Sequence, residues 1–98
     1  HPSAFYSLCK LLNDIGSDFA ADGIEWLSEV LRKGETPARE HPEVNTVYYL
    51  EKFIRRYVGL NLTNIRNTPR VKENLLVILD FLVEKGSVVG YMLRDRVI

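Results

Sequence analysis

Apolar side chains recur along most of this chain at steps of three and four, the spacing of one face of an α-helix. Between residues 45 and 59, Val47, Leu50, Ile54 and Val58 form one line and Tyr49, Phe53 and Tyr57 a second. Two lines make a helix apolar over more than the usual stripe, which predicts neighbours on at least two sides and a place in the middle of a helical array. Asn45 is suited to cap its start, and Gly59 to end it in the left-handed conformation. The wet face carries Glu51, Lys52, Arg55 and Arg56, with Glu51 and Arg55 spaced for an i,i+4 pair.

The flanking segments read the same way. Pro2 fits a first helical position, and Phe5, Leu8, Leu12 and Ile15 share a face that Gly16 closes. After a capped turn at Ser17-Asp18, a helix from Asp22 to Lys33 turns Ile24, Leu27, Val30 and Leu31 inward. Glu29 and Lys33 are spaced to pair on it, Trp26 stands off its stripe, and Gly34 ends it. Residues 34–43 hold two prolines, many charges and no period, so they form an exposed loop. Beyond Gly59, Leu60, Leu62 and Ile65 predict a short helical turn. Thr68-Pro69 then opens a helix to Lys85 whose apolar run is interrupted only by Asp80. It is the most buried helix on pattern, and Asp80 is expected to face outward. Gly86 stops it, and Ser87 begins a last helix with Val88, Val89, Met92, Leu93 and Val97 apolar and Arg94, Asp95 and Arg96 wet.

No segment alternates at period two and no hairpin turn is present, so the fold class is all-α. The frames Ile24-x-x-Leu-x-x-Val-Leu-Arg-Lys-Gly34 and Leu76-x-x-Leu-x-x-Leu-Val-Glu-Lys-Gly86 echo one another. Their offset approaches the ~40–47 residues of armadillo and HEAT units once the loop counts as an insertion. The expectation is an armadillo/HEAT-like right-handed helical solenoid fragment, with residues 1–98 as a single domain excised from a longer chain.

Thirteen basic and thirteen acidic side chains cancel, so no global field favours nucleic acid or an anionic membrane. The single cysteine, Cys9, excludes an internal disulfide and a cysteine-rich metal cluster, and suits a reducing, cytoplasmic setting. It lies beside the first apolar face as a half-buried structural thiol. His1 and His41 have no spacing to acids that makes a metal site. Asn61-Leu62-Thr63 fits the glycosylation pattern but lacks a secretory context. No apolar run reaches the ~18–20 residues of a membrane span. There is no phosphate loop, HExxH or nucleophile motif, so no enzyme, no cofactor and no metal is expected. Arg55, Arg56, Arg66, Arg70 and Lys72 read as a solvated basic face.

The stretch Phe19-Ala-Ala-Asp-Gly-Ile-Glu-Trp-Leu-Ser-Glu-Val-Leu-Arg32 resembles a Phe-x-x-x-Gly-Leu-x-x-Leu-x-x-Ile-Leu segment of the armadillo-type regulatory region of formins. Leu50-Glu-Lys-Phe-Ile-Arg-Arg-Tyr-Val-Gly-Leu60 is similar to a later formin helix, and Thr68-Pro-Arg-Val-Lys-Glu-Asn-Leu-Leu76 to the start of the following repeat. Lys52, Arg55 and Arg56 stand where formins carry small or amide residues. The resemblance implies a protein-binding scaffold that engages Rho-family GTPases or the chain's own autoinhibitory tail in control of actin assembly. It also makes the helix after the loop a groove-lining one. Along that helix Tyr49, Lys52, Phe53 and Arg56 fall on one edge, with Leu60 just beyond, so these five are the candidate partner-binding residues. An apolar helix or strand bearing an acidic side chain suits them. A shorter likeness, Leu76-x-x-Leu-Asp-Phe-Leu-x-x-x-Gly-Ser87, is to a helix of ENTH/VHS-type membrane-trafficking adaptors, the alternative reading.

Overall fold

The computed structural model describes residues 8–12, 20–34 and 46–98. They form α1 (8–12), α2 (Ala20–Arg32), α3 (Thr46–Asn67), α4 (Pro69–Glu84) and α5 (Val88–Val97), with no strand among them. The remainder of the predicted first helix with Pro2, Phe5 and Ile15, the Ser17-Asp18 cap, Asn45, and all of the loop but Gly34 lie outside the described residues, as do His1 and His41.

Two glycines end helices as the pattern predicts. Gly34 follows α2 at φ 69° and donates to the Leu31 carbonyl at 3.1 Å. Gly86 follows α4 at φ 82°; it donates to Val83 O, and Ser87 N–H donates to Leu82 O, both at 2.9 Å. That crossed pair satisfies the last carbonyls of α4, and only a residue without a Cβ adopts this φ without strain.

Gly59 does not end a helix. The left-handed stop expected there is not found, since Gly34 and Gly86 alone among the described glycines have positive φ; the break lies two residues on, at Asn61, and α3 reaches Asn67 as two helices that meet there. The separate short helical turn predicted at residues 60–67 is present beyond that break, its start displaced to the residue after Asn61. Leu62 and Ile65 continue the buried line from Val58, and that burial outweighs one glycine's helix cost of about 1 kcal/mol. The true irregularity is Asn61, at φ −130° and ψ 20°. Its Nδ2 donates to the Tyr57 carbonyl at 2.9 Å, taking the acceptor that its own backbone N–H would use in a regular helix. Such insertion into the ladder kinks a helix.

α4, not α3, is the hub. It packs on α2, on α5 and on α3. Asn74, Leu75, Ile78, Leu79 and Leu82 are buried, and Leu76, Val77, Phe81 and Val83 are half-buried around them. An apolar run this wide needs cover on more sides than α3, whose outer flank is charged. Asp80 faces outward as expected and pairs with Arg94 of α5 at 3.3 Å. Thr68 precedes Pro69 in extended backbone, but its hydroxyl reaches Asn64 Oδ1 (3.3 Å) and makes no side-chain cap.

The links between helices step forward on both partners. Glu25 pairs with Arg70 and Arg32 donates to Asn74 (2.9 Å), so α2 and α4 run in the same sense. Glu51 accepts from Ser87 Oγ (2.5 Å) and Arg66 donates to the Arg96 carbonyl (2.6 Å), so α3 and α5 do too. Glu51 is thus drawn to α5, where an i,i+4 pair with Arg55 is expected from spacing. Cys9 and Leu12 of α1 complete the core, and the thiol is fully buried, not half-buried.

Candidate functional site

Along the outer edge of α3 the five predicted residues separate into two groups. Lys52 and Arg56 are exposed, Tyr49 is half-buried, and Leu60 is 70% exposed. Phe53 is only 1% exposed. It leaves the candidate set as a surface residue, because it lies one turn from Leu50 and Tyr57 and stacks on the Tyr57 ring at 6.4 Å, inside the core. Burial also raises the pKa of the Tyr57 hydroxyl.

Tyr48, absent from the predicted set, joins it. Its ring is half exposed, meets Tyr49 edge-on at 5.6 Å, and lies 5.6 Å from the Lys52 ammonium. The i,i+4 spacing of Tyr48 and Lys52 was the available sequence signal, since a cation one turn on can cover the ring face. Beside Leu60 a shallow, open depression of about 540 Å³ is lined from Gly59 to Asn64 and by Asn67. The edge therefore has an aromatic and cationic half and an amide and hydroxyl half, with Leu60 at the junction. Lys52, Arg55 and Arg56 face solvent there, while Glu51 is turned to Ser87, so this half of α3 presents positive charge on a neutral protein.

The Cys9 thiol is pushed up to about 12 by burial and stays neutral and out of reach of solvent. Of the other basic residues, Arg66 is tied to the Arg96 carbonyl and Arg70 to Glu25. Asn61 of the glycosylation pattern is half-buried with its amide engaged. Among the described residues no three His, Cys, Asp or Glu side chains are grouped to hold a metal ion, and no helix is long and apolar enough to cross a membrane. No protein-family model matches the chain, and a search of curated proteins finds no match.

Proposed function

We propose that this chain is a non-catalytic protein-binding scaffold of helical-repeat type, and that the outer edge of α3 receives its partner. The observation that carries this reading is the line Tyr49, Lys52, Arg56 and Leu60, which sets aromatic, cationic and aliphatic groups along one edge of α3. These are residue types from which interface hot spots are drawn. The same-sense pairing of α2 with α4 and of α3 with α5 supports a repeat architecture, since stacked helix-pair units bring equivalent helices together in that way. Gly34 and Gly86, both left-handed at the ends of α2 and α4, mark corresponding points of the two units.

The occupant that fits is an apolar helix or strand with an acidic side chain against Lys52 or Arg56. The formin likeness directs the search to a Rho-family GTPase or an autoinhibitory tail helix, acting in the cytoplasm on actin assembly. The test is a Lys52→Glu, Arg56→Glu variant, with circular dichroism as the check on fold. Binding is read with GTP-loaded Rho-family GTPases and with a labelled amphipathic helix carrying one glutamate. The unaltered chain binds at least one of them and the variant loses about tenfold or more of that affinity. Equal binding by a folded variant, or binding only to phosphoinositide vesicles as a trafficking adaptor would show, overturns the reading.

A further inference from the structure

Within the edge of α3 one row of side chains runs straight. Tyr48, Lys52, Arg56 and Leu60 follow one another at steps of four, and all four are exposed. Of the flanking rows, one holds the half-buried Tyr49 with Phe53 and Tyr57 buried. The other holds Glu51, which is turned to Ser87, the exposed Arg55, and Gly59, which has no side chain. A Cβ at Gly59 would meet no atom within 4 Å, so Leu60 stands clear beside it. The row ends before the break at Asn61 and spans about 18 Å at the rise of an α-helix.

Its order is aromatic, cationic, cationic, aliphatic. Lys52 and Arg56 are like charges one turn apart, a spacing that repels. Glu51, next to Lys52, accepts from Ser87 Oγ at 2.5 Å, and the Lys52 ammonium lies 5.6 Å from the Tyr48 ring. We propose that this ridge receives a helix whose own exposed row reads apolar, acidic, acidic, apolar at steps of four. The proposal rests on the edge of α3 being the partner site, and adds the shape and order of what sits there. Two helices crossing at about 20° keep such rows in register over this length. Carboxylates one turn apart then rise by about 6 Å, as Lys52 and Arg56 do, and each meets one cation. The apolar side chains before and after them fall on Tyr48 and Leu60. The opposite order would set carboxylates on Tyr48 and Leu60 and desolvate both cations against aliphatic groups, which is costly. An extended peptide takes much of its affinity from a sheet edge, and there is no strand among the described residues.

Two helical peptides of identical composition provide the test, one with the row Leu-x-x-x-Glu-x-x-x-Glu-x-x-x-Leu and one with Glu-x-x-x-Leu-x-x-x-Leu-x-x-x-Glu. Each is stapled on its far face and titrated by fluorescence anisotropy with the full chain up to ~1 mM. The first binds about tenfold or more tighter than the second. Lys52→Glu, Arg56→Glu loses it and binds instead a helix with lysine at the two glutamate positions, an exchange that loss of fold does not produce. Tyr48→Ala and Leu60→Ala each weaken the first peptide about fivefold, with circular dichroism unchanged. Equal affinity for the two orders, or no binding of the lysine helix to the charge-reversed chain, overturns the proposal. Binding to neither helix, while a GTP-loaded GTPase still distinguishes the double variant, overturns this proposal alone; loss of both overturns the partner site on α3 as well.

Discussion

Gly90 and Gly59 both occupy helices, yet alanine at the two positions is expected to act with opposite sign. A Cβ at Gly90 would lie 2.8 Å from Leu82 Cβ, 3.2 Å from Val83 N and 3.3 Å from the Leu82 carbonyl carbon. Carbon atoms prefer about 3.5–4.0 Å, so α5 must retreat by roughly 1 Å. The obstructing atoms belong to the α4 main chain or its first side-chain carbon, and a rotamer change does not remove them. Retreat is also resisted by the short Lys85–Ser87 connection and by the bonds from Ser87 to Glu51 and Gly90. Overpacking costs about 1–3 kcal/mol, and alanine's helix preference offsets about 0.5–1 kcal/mol. Gly90→Ala therefore destabilises by about 0.5–2 kcal/mol. At Gly59 no atom lies within 4 Å of the added Cβ and φ is not positive, so only the helix preference remains. Gly59→Ala stabilises by about 0.5–1 kcal/mol. Urea unfolding followed by far-ultraviolet circular dichroism measures both. A Gly90→Ala midpoint at or above that of the unaltered chain would mean that α4 and α5 are not in such close contact. A destabilised Gly59→Ala would return that glycine to a left-handed helix stop.

Leu79→Ala, at a fully buried position of the hub helix, costs about 2–5 kcal/mol; an unmoved urea midpoint would take Leu79 out of the core. Ser87→Ala removes both the cap on Gly90 N–H and the donor to Glu51, and lowers stability by about 1–2 kcal/mol. A double-mutant cycle with Glu51→Ala isolates the second bond, and additive effects would show that it contributes nothing. Native Cys9 resists an aromatic disulfide reagent until the protein unfolds; prompt labelling at neutral pH contradicts its burial. Its folded pKa of about 12 lies above the ordinary 9.0, so above pH 9 the unfolded chain releases this proton while the native chain keeps it. The cysteine's contribution is complete below 9 and is lost as pH rises toward 12; Cys9→Ala removes that slope.

Local chemistry was legible in the sequence and long-range pairing was not. Gly34 and Gly86 announced helix ends because the apolar period resets after each. Gly59 carries the same residue type but keeps a negative φ, and the break expected there falls two residues later, with Leu62 and Ile65 on the short helix beyond it. The kink moved to Asn61, whose amide competes for the Tyr57 carbonyl; propensity alone does not tell that asparagine from Asn64 or Asn67. Lys52, Arg56 and Leu60 emerge on the predicted edge because helical spacing governs exposure. Phe53 shares that spacing but stands next to the buried line, and the second aromatic line is core at Phe53 and Tyr57, as a helix apolar over two lines predicts, and half-buried at Tyr49. Glu51 went to Ser87 rather than Arg55, a choice made by tertiary contact across the α3–α5 interface.

The tight turn at Gly86 has a kinetic consequence. α4 and α5 meet across a connection of only a few residues, so their contact forms with little loop-closure entropy. α2 reaches α4 only through partners such as Arg32 and Asn74, 42 positions apart. The α4–α5 hairpin is thus the place for the folding transition state to become structured first, with α2 docking afterwards. Substitutions at Gly90 or Leu82 then slow folding, while those at Leu27 or Ser28 mainly hasten unfolding.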